Sequence, residues 1–273
     1  MIPMTDPTID QLEEVWASIS GVCEGLTEDQ WALPTACPGW TVQDQVAHMI
    51  GTERMLLGEQ PPDIAVDVKA LPHVRNDIGA FNEAWVESYR PRSGDAVLDE
   101  FRSVTARRLE QLRAMSEEDW ERVGFTPEGP GPYRNFMVVR VFDCWIHEKD
   151  IREAAHLRVD LAGPPAELAM AKLRGCMTYV VGKKAGAPQG STVVFDVAGP
   201  LGFELSIGVE GRASVLEVSP DEPTTRLRMD DLTFVGLASG RLSADQALAG
   251  GHLVVEGAEE LGRTVIANMG FTI

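Results

Sequence analysis

The apolar pattern of this 273-residue chain changes its period near residue 157, and this change limits the folds that the chain can adopt. Before it, apolar residues recur every three to four positions, which is typical of amphipathic helices. After it, short runs such as STVVFDVAG, FELSIGV and TTRLRM are typical of strands. A chain of this length exceeds one ordinary domain. We therefore predict a helical bundle over residues 1–157, a connecting helix and linker over 158–190, and a small α+β domain over 191–273.

Four helical segments are predicted in the first part, over residues 6–21, 42–57, 76 onward and 133–155. The third is broken at Pro91, and the segment after this proline either continues in the same direction or forms a separate helix. Thr41 is predicted to cap the second helix, with Asp44 near the positive end of its dipole. The proline-rich stretch GEQPPDIAVDVKALPHV reads as a long crossover, which four-helix bundles tolerate.

The charge of the chain excludes several classes of partner. Its net charge of −18, from 42 acidic and 24 basic side chains, opposes binding to phosphate backbones and anionic membrane surfaces. No window is apolar enough for a membrane span, and the first residues lack the pattern of a secretion signal. We expect a cytoplasmic protein with neither nucleic acid nor membrane as a partner.

The cysteines give no sign of a disulfide framework. Cys23, Cys37, Cys144 and Cys176 are widely spaced and form no CxxC pair, so reduced thiols are expected and a thiolate zinc site is not. Cys37 has no histidine near it in sequence, and a buried, unreactive thiol is expected there.

The segment over residues 133–155 carries ionisable side chains in an apolar background. Arg140, Asp143, His147 and Asp150 are spaced three, four and three apart and so share one helix face. Buried groups of this kind need partners, because burying them alone costs several kcal/mol. A metal ion would compensate Asp143 and His147, whereas the alternative is an intrahelical pair worth about 0.5 kcal/mol.

A catalytic zinc ion usually has three protein ligands, so a third must come from another segment. His48 lies in mid-helix, where it can face the bundle interior, although it also fits a core histidine without a metal. The remaining histidines are less suitable: His73 lies in the crossover, His156 at a helix end and His252 at the start of a strand.

Two segments, ACPGWTVQDQVAHMIGTE and RVFDCWIHEKDIREA, resemble the signature segments of the mycothiol-dependent maleylpyruvate isomerase family, which belongs to the DinB-like four-helix metalloproteins. The resemblance implies a DinB-like bundle with zinc, or another divalent metal, held by His48, Asp143 and His147. The family's isomerase has glutamate where this chain has Asp143. This shorter carboxylate bears on isomerase activity more than on metal binding.

The second part is similar to that family's C-terminal module, which is related to sterol carrier proteins, through the segment FVGLASGRLSADQALAGGHLVVEGAEELGR. The resemblance implies that an arginine of this module reaches the active site. Arg241 is its match here, with Arg226 and Arg228 as competitors, and a surface arginine is the alternative.

The resemblance implies an enzyme in which zinc activates the thiol of mycothiol for isomerisation or S-transfer on a small electrophilic substrate. Asp150 or a water on zinc would carry the proton, and Arg241 would bind a substrate carboxylate. The alternatives are a thiol-independent metal-dependent hydrolase and a non-enzymatic carrier of a small molecule or lipid. The partners expected are the substrate and the thiol, with the chain as a monomer or homodimer.

Overall fold

The computed structural model describes residues 6–159 and 161–271. The chain divides into two compact units, one up to residue 160 and one from residue 161 onward. The stretch 158–190, expected as a connection, therefore falls largely within the second unit. Among the described residues, none of the helices combines the length and the hydropathy that a bilayer-spanning segment needs.

The first unit is helical. Its elements are α1 (Pro7–Glu24), α2 (Glu28–Trp31), α3 (Val42–Leu56), α4 (Asp77–Tyr89), α5 (Gly94–Ala114), α6 (Glu117–Glu121) and α7 (Tyr133–Ala154), with a short antiparallel ribbon of β1 (Val123–Gly124) and β2 (Gly131–Pro132). Helices α1, α3, α5 and α7 form the bundle, since α1 and α3 each pack against both α5 and α7. Helix α4 lies in the crossover and packs on α3.

The four predicted helical segments are confirmed, and local sequence explains their ends. Thr41 and Asp44 form a reciprocal capping box at the start of α3, as predicted. The segment after Pro91 is a separate helix that Ser93 caps, and it is this helix, not α4, that completes the bundle. The short helices α2 and α6 were not predicted, because four or five residues are too few to show a period.

The second unit is an α+β domain. It contains α8 (Pro164–Gly175), α9 (Met177–Tyr179), a π-helical turn at Val180–Lys184, β3 (Thr192–Ala198), β4 (Phe203–Glu210), β5 (Arg212–Val215), β6 (Thr225–Asp230), α10 (Asp231–Ala238), α11 (Ala244–Ala249), β7 (Leu253–Gly257) and α12 (Glu259–Ala267). The strands are ordered β5-β4-β3-β6-β7, and only the β3–β6 pair is parallel among the described strands. Helices α10 and α12 pack on β6. The predicted α+β class is confirmed.

Replacing Gly51 by alanine tests the contact between α3 and α4. A Cβ at Gly51 would lie 2.4 Å from Cγ of Trp85, so the helix propensity that alanine gains is outweighed by overpacking of about 1–3 kcal/mol. We expect urea unfolding to show a net loss of stability. Gly21→Ala is the control, because nothing lies within 4 Å of its Cβ, and it should stabilise by about 0.5–1 kcal/mol. A stabilising Gly51→Ala would contradict this packing.

Candidate metal centre

Helices α3 and α7 pack together and bring the three candidate ligands to one point. His48 lies in the middle of α3, whereas Asp143 and His147 lie one turn apart on α7. Nε2 of His48 is 3.3 Å from Oδ2 of Asp143, and Nε2 of His147 is 3.5 Å from Oδ1 of the same carboxylate. The centroids of the two imidazole rings are 4.8 Å apart. The residues selected from sequence thus form one cluster.

The spacing and chemistry of this cluster fit a divalent ion. One ligand atom from each of the three residues lies within 4.8 Å of the others. Tetrahedral zinc with bonds of about 2.1 Å separates its ligand atoms by about 3.4 Å, close to both measured N–O distances. Both histidines are only 6% exposed. Two imidazoles and a carboxylate are donors that zinc takes in proteins.

Protonation of the cluster is governed by the carboxylate that the two imidazoles share. Burial opposes a charge on His147, but Asp143 outweighs this and raises the pKa of His147 to about 9. For His48, burial dominates and lowers the pKa. Burial also opposes ionisation of Asp143, yet His147 and Arg140 together hold its pKa well below the ordinary range. The carboxylate is therefore ionised and available to a cation at neutral pH.

A chain of buried charges lies behind Asp143. Arg140 donates from Nη1 to Oδ2 of Asp143, and from Nε to Oε1 of Glu53 at 2.8 Å. Arg108 of α5 donates from Nε to the other oxygen of Glu53, also at 2.8 Å, and from Nη2 to the hydroxyl of Tyr133. The side chains of Glu53 and Arg108 are fully buried. Three bundle helices thus fix the orientation of one carboxylate.

Trp40 forms an aromatic wall beside the two histidines. Its ring centroid is 5.1 Å from that of His48 and 6.1 Å from that of His147. The indole N–H donates to Oε2 of Glu83 at 2.7 Å, and Nε2 of His73 lies 3.0 Å from the same oxygen. Glu83 belongs to α4 and is buried, whereas His73 belongs to the crossover. One carboxylate therefore connects the crossover to this wall.

Comparison with known proteins assigns the family. Residues 12–152 match the family model of the mycothiol maleylpyruvate isomerase N-terminal domain, and residues 167–263 match the model of the MDMPI C-terminal domain. The chain belongs to the mycothiol maleylpyruvate isomerase family. The crystal structure of a mycothiol-dependent maleylpyruvate isomerase matches with a TM-score of 0.59 and 15% identity over 92% of both chains, as does a histidine-to-alanine mutant of it. The two proteins share their fold.

Other matches cover less of this chain. Two uncharacterized proteins from two strains of Mycobacterium tuberculosis are each 25% identical over 192 residues, which is 62% of this chain and 73% of theirs. A sterol carrier protein domain of Helicoverpa armigera is 22% identical and covers 38% of this chain and 87% of its own, with a TM-score of 0.28.

In this member of the mycothiol maleylpyruvate isomerase family, Asp150 and Cys37 lie at the other edge of the His147 ring. Oδ2 of Asp150 is 3.8 Å from Nδ1 of His147, and Sγ of Cys37 donates to that same oxygen at 3.4 Å. Asp150 is 1% exposed. The expectation that Cys37 is a buried thiol is wrong, because its side chain is only half-buried. Although no histidine is near it in sequence, the loop before α3 brings it to His147 of α7.

The arginines proposed from sequence all lie in the second unit. Arg241 follows α10, and its Nη1 donates to the carbonyl of Ser239 at 3.2 Å. On β6, Arg226 pairs with Glu204 of β4 at 2.8 Å, across the intervening β3, and Arg228 pairs with Glu256 of the adjacent β7 at 2.6 Å. Arg241 stays a prediction for substrate binding.

Glu53 and Trp40 were missed by the sequence analysis. Glu53 carries a weak signal, because it lies three residues after Ile50 and four after Met49, on the apolar stripe of its helix. A glutamate in such a stripe indicates a buried partner, but not which one. Trp40 gives no such signal, since its place beside the histidines depends on the loop that precedes α3.

Replacing Glu53 by glutamine tests the row of buried charges behind Asp143. Glutamine keeps the shape but leaves Arg108 and Arg140 without their shared counter-ion, a defect that costs about 3–5 kcal/mol. Urea unfolding should show this loss in the free energy of unfolding. Glu13→Gln is the control, because it removes only an exposed pair with Arg113 worth about 0–1 kcal/mol. Equal losses in the two variants would contradict the role of Glu53.

Zinc binding to metal-free protein should release a proton. Since the pKa of His147 is raised to about 9, its pairing with Asp143 stabilises fully below about pH 6.5 and is lost as the pH rises through 9. Calorimetry at about pH 8, in buffers of different ionisation enthalpy, should therefore show about one proton released from His147 per zinc, besides any proton lost by water on the ion. The release should be smaller by about one proton at about pH 10.5, where the histidine is already neutral. Zinc binding without proton release at the lower pH would refute the raised pKa.

Proposed function

We propose that this protein is a metal-dependent enzyme that uses mycothiol, a low-molecular-weight thiol, for isomerisation of a small electrophilic substrate or for S-transfer to it. The observation that carries the proposal is the convergence of His48, Asp143 and His147 at one buried point, in a chain of the mycothiol maleylpyruvate isomerase family. A solved protein with the same fold is a mycothiol-dependent maleylpyruvate isomerase.

The three clustered residues would hold a divalent ion, and zinc suits their two nitrogen donors and one oxygen donor. Three protein ligands leave one position for an incoming donor. When bound, the ion would act as a Lewis acid and lower the pKa of a coordinated thiol.

The charges around the cluster favour an anionic donor in that position. The negative charges of Asp143 and Glu53 are balanced by the positive charges of Arg140 and Arg108. These four side chains therefore contribute no net charge, and the carboxylate of Asp150 beside His147 offsets at most one of the two positive charges of a divalent cation in this buried environment. A thiolate compensates the remaining charge better than a neutral ligand does, which supports a thiol as the cofactor.

Two further residues are proposed to act on the substrate and its proton. Asp150 would accept or return a proton directly or through a water, and its burial 3.8 Å from Nδ1 of His147, a proposed ligand, supports this role. Arg241 would bind a carboxylate of the substrate, because a guanidinium can donate two parallel hydrogen bonds to it. We place the enzyme in the cytoplasm, where thiols stay reduced.

Elemental analysis of the purified full-length protein tests the metal centre. We expect one zinc per chain in wild type, and its loss in both His48→Ala and His147→Ala, because each variant leaves only two ligands. His252→Ala is the control, since that histidine is exposed in the second unit and should leave the zinc content unchanged. Wild-type zinc content in His147→Ala would disprove the assignment.

Thiol dependence tests the reaction class. Maleylpyruvate and related small unsaturated acids should be turned over only when mycothiol is added, and His48→Ala should abolish that turnover. Turnover of the same rate without any thiol would instead favour a metal-dependent hydrolase.

A further inference from the structure

We propose that Cys37, Asp150 and the Nδ1 edge of His147 form a second metal site, which takes a thiophilic divalent ion such as cadmium. Sγ of Cys37 is 3.4 Å from Oδ2 of Asp150, and that oxygen is 3.8 Å from Nδ1 of His147. One ligand atom from each of the three residues lies within 4.8 Å of the others. The site is distinct from the first cluster because it uses the other nitrogen of the shared ring, and it does not depend on the proposed activity.

An unsatisfied atom points into this site. Nδ1 of His147 is buried and has no hydrogen bond of normal geometry among the described residues, since it faces the thiol of Cys37 and the Asp150 oxygen 3.8 Å away, and His147 itself is only 6% exposed. Buried polar atoms in folded proteins nearly always have a partner, so an exception calls for an explanation. An ion between Nδ1 and the oxygen of Asp150 would provide the missing partner.

The spacing of the three ligands suits a small tetrahedral site. Zinc bonds of about 2.3 Å to sulfur and about 2.1 Å to oxygen would place those two atoms about 3.6 Å apart, against 3.4 Å in the structure, and the larger cadmium ion would need the two side chains to separate slightly further. Thiolate ligands select soft ions, whereas the first cluster offers only nitrogen and oxygen. Cys37 is half-buried, so an ion can enter from its side, while Asp150 closes the inner side.

The two sites compete for one ring. A neutral imidazole has a lone pair on only one of its two nitrogens, so His147 serves the first cluster through Nε2 or the second site through Nδ1. A thiophilic ion at Cys37 therefore withdraws His147 from the first cluster. The second site would prefer thiophilic ions, and an ion bound there would weaken ion binding at the first cluster.

The other cysteines provide the control for this inference. Cys23 and Cys144 are fully buried, and neither belongs to a group of metal-binding residues within the described ranges. Cys176 lies in the second unit and, like Cys37, is half-buried. Cys176→Ser is therefore a matched control for Cys37→Ser, because each replaces one half-buried thiol by a hydroxyl.

Cadmium titration of the metal-free, full-length protein tests the site. We expect the ultraviolet thiolate-to-cadmium charge-transfer absorption to saturate at one cadmium per chain in wild type. Cys37→Ser should lose this absorption, and Cys176→Ser should retain it. His48→Ala should also retain it, because that variant removes a ligand of the first cluster only.

Three results would overturn the second site. These are cadmium binding by wild type without thiolate absorption, undiminished absorption in Cys37→Ser, and loss of absorption in a His48→Ala variant whose circular dichroism shows a folded protein. Failure of the proposed function would be seen in different measurements, as absence of zinc from wild type or as turnover without thiol. The two proposals can therefore fail independently.

Discussion

Four alternating charges, on Arg108, Glu53, Arg140 and Asp143, run through the bundle core to the candidate metal centre. Removing charged groups from water is costly, and each member of this chain is acceptable only because its neighbour has the opposite sign. Apolar side chains of similar volume would stabilise a bundle as well or better. What they could not do is hold a carboxylate ionised and oriented between two imidazoles, and this requirement explains why such a chain lies in the core.

The ring of His147 lies between this row of buried charges and the loop before α3. One nitrogen faces Asp143 and the charges behind it, and the other faces Asp150 and Cys37. A single side chain thereby joins an environment of nitrogen and oxygen donors to one that contains sulfur. Its protonation depends on both environments, and so would the ion that it is proposed to bind, so neither can be understood from one set of neighbours alone.

Sequence reasoning succeeded where the information is local. The spacing of Asp143 and His147 places them on one face of a helix whatever else the chain does. The alternation of strands and helices after residue 190 fixed the class of the second unit in the same way. His48 was left open by its position in the helix and was selected through the resemblance to the family's signature segments. Partners from distant segments could not be predicted, because Cys37 and His147 meet only through the path of a loop. The pairing of Glu53 with Arg108 likewise depends on how α3 packs against α5.

The junction at Glu83 has a consequence for how this bundle can diverge. Since one carboxylate contacts both the indole of Trp40 and His73 of the crossover, a change in crossover length would displace the histidine and remove one partner of the group that holds the tryptophan. Connecting segments normally accept insertions freely. Here an insertion would also disturb the contacts of Trp40 beside the candidate ligands. New specificities in this lineage should therefore arise by substitution of side chains along the crossover while its length stays constant.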